Sequence, residues 1–290
     1  MTIWAGWGFL VPGSIKARER LVNAFVKYHR GDHSDAAQII KQRVKLMQDY
    51  GAPDEDVARM HLFFGQGVLP NSVPAAFWTI YEVFSRPDLV HRLREAIIEH
   101  GIHRDARSDT IELDVSALKT RVPLLLAVLE ETQRVRGANA TFRKVQTDTV
   151  LGDYHLKRGN WIQIPHQPVH HDSRIWGTDP LQYNPDRFLG KTLPSNSLSA
   201  WGTAPHLCPA RQFASTEIMV LIALLVLRVE IVPIGGSGWR KLKVRPFEAA
   251  TIPPPAQELE VEIRPREGWN EGLWVLKMGE SKTRVPLASG

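Results

Sequence analysis

Apolar residues recur at helical spacing over most of the first 135 positions. Between Ala17 and His29, the residues Leu21, Val22, Phe25 and Val26 fall on one face and predict a helix. A second helix is expected over Ala36 to Tyr50. It lies between the turn Gly31-Asp32-His33-Ser34-Asp35, with its capping side chains, and the stop Gly51-Ala52-Pro53. Pro53-Asp54-Glu55-Asp56 then caps a third, longer helix running through Val57, Leu62, Phe63 and Phe64 toward Val83. Two glycines and two prolines interrupt it in Gly65-Gln66-Gly67-Val68-Leu69-Pro70-Asn71-Ser72-Val73-Pro74. They weaken backbone hydrogen bonding and predict either a kink or a loop between two helices. Further helices are expected from Arg86 to His100 and from Leu118 to Arg134, separated by a polar turn, Gly101 to Asp109.

From Ala140 the period shortens. Thr141 to Val145, Thr149 to Leu151 and Trp161 to Ile164 read as short strands, joined by turns at Gly152-Asp153 and Arg158-Gly159-Asn160. Pro165 to Ala200 is rich in proline, glycine and polar residues and predicts an irregular meander. An apolar helical pattern returns over Phe213 to Val229. After it come Gly235-Gly236-Ser237-Gly238, a turn at Pro253-Pro254-Pro255, and strands near Glu260 to Ile263 and Leu273 to Leu276. No internal repeat is evident.

The 290 residues carry one cysteine, which excludes a disulfide scaffold or a multi-thiolate metal cluster supplied by this chain alone. A reducing or cytosol-facing compartment is expected. A net charge of +5 and a pI of about 9.4 favour acidic partners or an anionic membrane face. The basic residues are too few and too scattered to imply nucleic acid. The start, Met1 to Leu10, lacks the charged and long apolar pattern of a signal peptide or anchor. Its tryptophans make a peripheral membrane contact one expectation. The longest apolar stretch, Val220 to Leu227, is too short to cross a bilayer.

The single cysteine, Cys208, lies in Trp201-Gly202-Thr203-Ala204-Pro205-His206-Leu207-Cys208-Pro209-Ala210-Arg211, just ahead of the Phe213 helix. The free N–H groups and positive end of that helix stabilise a negative sulfur. Such a sulfur can serve as an axial iron ligand, a nucleophile or a redox thiol, or it can pack as an inert small hydrophobe. Glu131 and Arg134 are three apart on one helical face, and Arg187 follows in Asn184-Pro185-Asp186-Arg187-Phe188. Two arginines around one glutamate can lock the meander against the helix; an ordinary surface ion pair is the alternative. His166, His170, His171 and Asp172 look like a metal cluster by composition alone.

Together these stretches resemble the cytochrome P450 family of haem-thiolate monooxygenases. Glu131-Thr132-Gln133-Arg134 matches its ExxR motif, Pro185-Asp186-Arg187-Phe188 its PERF-like motif, and Trp201 to Ala210 its cysteine loop, FxxGxRxCxG, all in family order. The resemblance implies haem b (iron protoporphyrin IX) as cofactor and Cys208 as its axial iron ligand. It further implies that His206 donates to a haem propionate, with help from Arg143, and that Glu131, Arg134 and Arg187 are structural. It places the His166 to Asp172 group in the connection between strand and meander rather than at a metal. Trp201 stands where the family has phenylalanine. Ala204 and Ala210 stand where it has glycine, and alanine resists positive φ, so a tighter loop or weaker haem retention is expected.

The long third helix resembles the family's I helix, whose usual acid and alcohol relay protons. Here Pro70 and Asn71 occupy those places. Asn71 to Trp78 is similar to the branch containing cholesterol 7α-hydroxylase, sterol 12α-hydroxylase and prostacyclin synthase, so Asn71 is expected to organise distal hydrogen bonding. The implied fold is mainly α with small β-sheets: the C-terminal portion of the cytochrome P450 fold, its N-terminal part missing. It is read as one incomplete domain over 1–290. Residues 1–135 are helical, 136–200 strands and meander, 201–230 the cysteine loop and its helix, and 231–290 C-terminal strands. The implied activity is monooxygenation of a bulky lipophilic substrate such as a sterol or terpenoid. Electrons would come from NADPH-cytochrome P450 reductase, and the setting would be the cytosol or the cytosolic face of the endoplasmic reticulum. The alternatives are a haem-dependent isomerase or dehydratase and a truncated, inactive fragment.

Overall fold

Helix-forming patterns dominate the first half of the chain, and the computed structural model builds helices there. It describes residues 12–32, 34–105, 108–190, 193–235, 238–245, 251–279 and 283–288. The tryptophan-rich start, His33 of the first turn and the middle of the Gly235 to Gly238 turn lie outside the described residues.

Helices α1 (Pro12–Arg30), α2 (Gln38–Asp49), α3 (Asp54–Phe84) and α4 (Pro87–Gly101) come first, followed by strands β1 (Ile102–Asp105) and β2 (Thr110–Asp114). Helices α5 (Val115–Arg121) and α6 (Pro123–Arg136) lead into β3 (Ala140–Lys144), β4 (Thr149–Leu151), β5 (Tyr154–Leu156) and β6 (Trp161–Pro165). The meander holds two one-turn helices, α7 (Gln167–His170) and α8 (Ser173–Trp176), and a 3₁₀ turn, Pro185–Phe188. Helix α9 (Arg211–Arg228), β7 (Val229–Pro233), β8 (Val261–Pro265) and β9 (Leu273–Lys277) complete the order.

The chain divides into two compact units, Met1–Asn71 and Ser72–Gly290, with the boundary inside α3. In the first unit, α1 buries Val22 and α2 buries Val44, while Val57 and Ala58 are buried on α3. Arg59 forks onto both carboxylate oxygens of Glu19 at 3.1 and 3.0 Å. The Arg43 guanidinium lies 4.1 Å over the Phe64 ring.

In the second unit, α4, α5, α6, α9 and the last turns of α3 share one apolar core. It includes Trp78, Leu93, Ile97, Leu118, Leu125, Leu129, Ile222 and Leu227. Each such side chain contributes about 1.5–3 kcal/mol by leaving water. The Trp78 indole N–H donates to Pro253 O at 2.8 Å and so fastens the Pro253 turn to α3.

Helix α3 runs as one helix through Pro70 and Pro74, so the long helix expected toward Val83 stands and the alternative of a loop between two helices does not. Each proline only removes one N–H, and the acidic first turn Asp54, Glu55 and Asp56 suits the positive helix end. The helix expected over Leu118 to Arg134 is two helices. Val122, at φ −120° and ψ 67°, breaks them, because the ring of Pro123 disfavours helical geometry at the preceding residue. The polar turn after Gly101 is instead the hairpin β1–β2, whose outer neighbour β9 pairs parallel to β2 across more than 150 residues of sequence. No local pattern announces such a partner.

The expectation that the chain builds only the C-terminal portion of the fold is also corrected. A mostly helical fold occupies nearly the whole chain, from α1 to β9. No helix among the described residues is long and apolar enough to cross a membrane.

Candidate functional site

Helix α6 carries Glu131 and Arg134 on its most buried turn, both fully shielded from solvent. Arg134 grips Glu131 with two parallel bonds, Nε to Oε2 at 2.6 Å and Nη2 to Oε1 at 2.8 Å. Its remaining N–H groups donate to meander carbonyls: His170 O at 2.6 Å, Pro180 O at 2.6 Å and Gln182 O at 3.4 Å. Asn184 N–H donates to Glu131 Oε1 at 2.8 Å, and Arg187 Nε stands 3.6 Å from the same oxygen. Arg187 also donates to Trp176 O and, at 2.7 Å, to Asp179 O. Burial pushes the Glu131 carboxyl above its ordinary value, while Arg134, the Asn184 N–H and Arg187 pull it back down. The network therefore staples the Gly177 to Phe188 stretch onto α6 and leaves no carboxylate oxygen free for chemistry.

The cysteine loop follows that stapled meander. Cys208 is free and half-buried just ahead of α9, and its N–H donates to Trp201 O at 2.8 Å, closing the loop on itself. Cys208 O accepts from the Arg211 N–H and from Arg211 Nη1 at 3.3 and 3.1 Å. Gly202 takes φ +86°, and a Cβ there would stand 3.0 Å from His206 O. This is the position in the loop that needs glycine. Ala204 and Ala210, expected to strain it, both avoid positive φ, and Ala210 sits at φ −86°.

Arg143, on β3, reaches the same loop. Its Nη2 donates to Thr203 Oγ1 at 2.9 Å and Thr203 O at 3.3 Å. The His206 side chain is exposed. Trp201 Nε1 is buried and has no partner among the described residues. Asn71 belongs to the first unit, where its Nδ2 donates to Gly67 O at 3.3 Å. The other six candidate residues all lie in the second unit.

Several contributors carried no sequence signal. The carbonyls of His170, Pro180 and Gln182 receive Arg134, but a backbone oxygen has no residue identity to read. Thr141 and Thr203 are ordinary strand and loop residues until folding brings them together. His170, suggestive of a metal by composition, accepts from the Ser199 N–H at 3.0 Å, and burial first, then the neighbouring His166, His171 and Arg134 charges, depress it to about 3. Among the described residues no group of three or more His, Cys, Asp or Glu side chains could hold a metal ion.

These residues fit the haem that the resemblance implies. They offer one soft sulfur at a helix start, an orphaned buried N–H beside it in the loop, and an arginine and a histidine able to meet carboxylates.

Comparison with known proteins gives the same direction. The cytochrome P450 family matches residues 16–260. The chain is 31% identical to the cytochrome P450 monooxygenase nodJ of Hypoxylon pulicicidum, over 96% of this chain and 57% of that protein. It is 28% identical to a cytochrome P450 monooxygenase of Gibberella zeae, over 91% of this chain and 54% of that protein. It is 25% identical to cholesterol 7-alpha-monooxygenase of Cricetulus griseus, over 77% of this chain and 48% of that protein. The chain thus spans about half the length of the curated relatives it matches. The reading of the likeness as a C-terminal portion only is corrected by the family match, which begins within α1 and covers almost the whole chain.

Proposed function

The chain belongs to the cytochrome P450 family, and on that premise we propose that it is a haem-thiolate monooxygenase acting on a bulky lipophilic substrate such as a sterol or terpenoid. Haem b is the cofactor that defines this family. When bound, it supplies reductive dioxygen chemistry, in which one oxygen atom enters the substrate and the other leaves as water. The two electrons would come from NADPH through a separate flavin reductase, at the cytosolic face of the endoplasmic reticulum or in the cytosol.

This chain's own residues divide the remaining work. Cys208 would hold the iron as a thiolate, shaped by its loop and by the start of α9. Arg143 and His206 would meet the haem propionates. Glu131, Arg134 and Arg187 would keep the meander and α6 in register behind the cysteine loop. Asn71 would orient a water by hydrogen bonds, since an amide is not a proton acid in the ordinary range. The observation that carries the reading is the tie from Arg143 to Thr203, which sets a cationic group against the loop of the sole cysteine. The sterol part rests on the Asn71 to Trp78 stretch and on the likeness to cholesterol 7-alpha-monooxygenase.

Asn71 favours a second reading as well. An isomerase or dehydratase that rearranges a peroxide needs no outside electrons and no proton-delivering acid. Turnover separates the two. A monooxygenase oxidises sterol or terpenoid candidates only with NADPH and reductase present. Conversion of a lipid peroxide without either would replace the monooxygenase reading.

A further inference from the structure

Behind the cysteine loop lies a buried histidine that the proposed chemistry does not use. Strands β3 and β6 pair antiparallel, with Thr141 opposite Ile164, and His166 N–H extends the ladder by donating to Asn139 O at 3.0 Å. That register turns the Thr141 hydroxyl inward, where its Oγ1 stands 2.8 Å from His166 Nε2. His166 is 2% exposed, and its Nδ1 is buried without a partner among the described residues. On its other side, Thr141 Oγ1 lies 3.5 Å from Thr203 Oγ1, which accepts from Arg143 Nη2 at 2.9 Å.

The donors and acceptors have one order that gives every hydroxyl hydrogen a protein acceptor. Arg143 can only donate, so it donates to Thr203. Thr203 then donates to Thr141, and Thr141 donates to the Nε2 lone pair of His166. In the reverse order, with His166 Nε2 as donor, the hydroxyl hydrogen of the half-buried Thr203 is left to solvent. The forward order puts a proton on His166 Nδ1, which is buried without a partner among the described residues. Each order thus leaves one group without a protein partner, and the contacts hold in either. Burial lowers the basicity of His166, which favours its neutral form. The Thr203–Thr141 contact is longer than an ordinary O–H···O bond and is the weakest link.

We propose that His166, acting through Thr141 and Thr203, is a positioning residue that aims Arg143 and the cysteine loop at a haem carboxylate. The inference rests on the haem reading above and assigns to His166 a part that no motif gives it. Nothing in the chain of bonds is reactive; its effect is to fix one guanidinium and one loop before the cofactor arrives.

The test uses the full chain loaded with haem and follows haem transfer to excess apomyoglobin. Thr141→Val, which removes the hydroxyl, is expected to speed haem loss about tenfold, as loss of a hydrogen bond does. Thr141→Ser, which keeps the hydroxyl, and His166→Gln, whose amide oxygen can accept, should stay within about twofold of the parent. Loss at the parent rate in Thr141→Val, or equally fast loss in Thr141→Ser, would overturn the relay while leaving haem binding intact. A second readout needs no haem. In the unloaded chain, ¹⁵N–¹H spectra assigned with His166→Gln should show a neutral His166 held in one tautomer, and Thr141→Val should release it to average between the two. A His166 that already averages in the parent, or is unchanged by Thr141→Val, would overturn the relay, whether or not the chain takes up haem.

Discussion

Gly202 is a single residue on which the shape of the cysteine loop turns. At φ +86° it occupies backbone space that side chains resist, and an added Cβ would press on His206 O. Gly202→Ala should cost about 1–2 kcal/mol from the backbone alone and weaken haem retention, whereas Ala204→Gly should not strengthen it. Urea denaturation and haem titration of both variants check this. Glu130 makes a second residue-scale case. It is 3% exposed and accepts from the Ala288 N–H at 2.5 Å, its one bond among the described residues. Burial pushes its carboxyl up to about 7, with the Ala288 bond pulling the other way. Between the ordinary glutamate value and about 7, the folded chain holds a proton that the unfolded chain releases. Stability should therefore fall as pH rises through that window, by up to about 3 kcal/mol. Glu130→Gln should flatten that slope and raise stability at pH about 8, as measured by denaturation at a series of pH values. A slope unchanged by the substitution would assign the pH dependence to other groups.

Elements carry the next scale, and here the sequence was unevenly informative. The apolar runs Leu21 to Val26 and ahead of Arg228 located α1 and α9 within a few residues. On α9 the buried Ala214, Ile218, Ile222 and Val226 follow the helical period, whereas on α1 Val22 is buried and Leu21 is exposed. The strand pair β2–β9 was hidden, since its two halves lie far apart in the sequence and no local pattern specifies the partner. Pro70 and Pro74 left a kinked helix and a loop both open, and α3 runs through both, with the buried Ala75, Trp78 and Val83 anchoring the following turns. Glu131, Arg134 and Arg187 were legible as a set only through their order in a motif. The bidentate grip and the carbonyl partners come from the fold. Removing one member of such a buried pair leaves the other charge uncompensated. Arg134→Ala should cost about 3–5 kcal/mol and loosen the meander, seen as faster amide exchange from Gly177 to Phe188. Arg187→Lys, at the longer 3.6 Å contact, should cost less than half as much.

For the whole molecule, a mostly helical fold reaches across nearly the entire chain, while the chain spans about half the length of its curated relatives. Its two units differ in what they offer. The second holds the sulfur, the arginine beside its loop and the buried ion network. The first contributes Asn71, whose amide hydrogen bonds without delivering protons. All of the proposed haem contacts presuppose that Cys208 binds haem iron as a thiolate. The most direct measurement is the carbon monoxide difference spectrum of the reduced, haem-loaded protein. The spectrum should show the long-wavelength Soret band of a thiolate-bound haem, and that band should disappear in Cys208→Ala. A chain that takes up no haem, or a band that survives loss of the cysteine, would contradict that ligation.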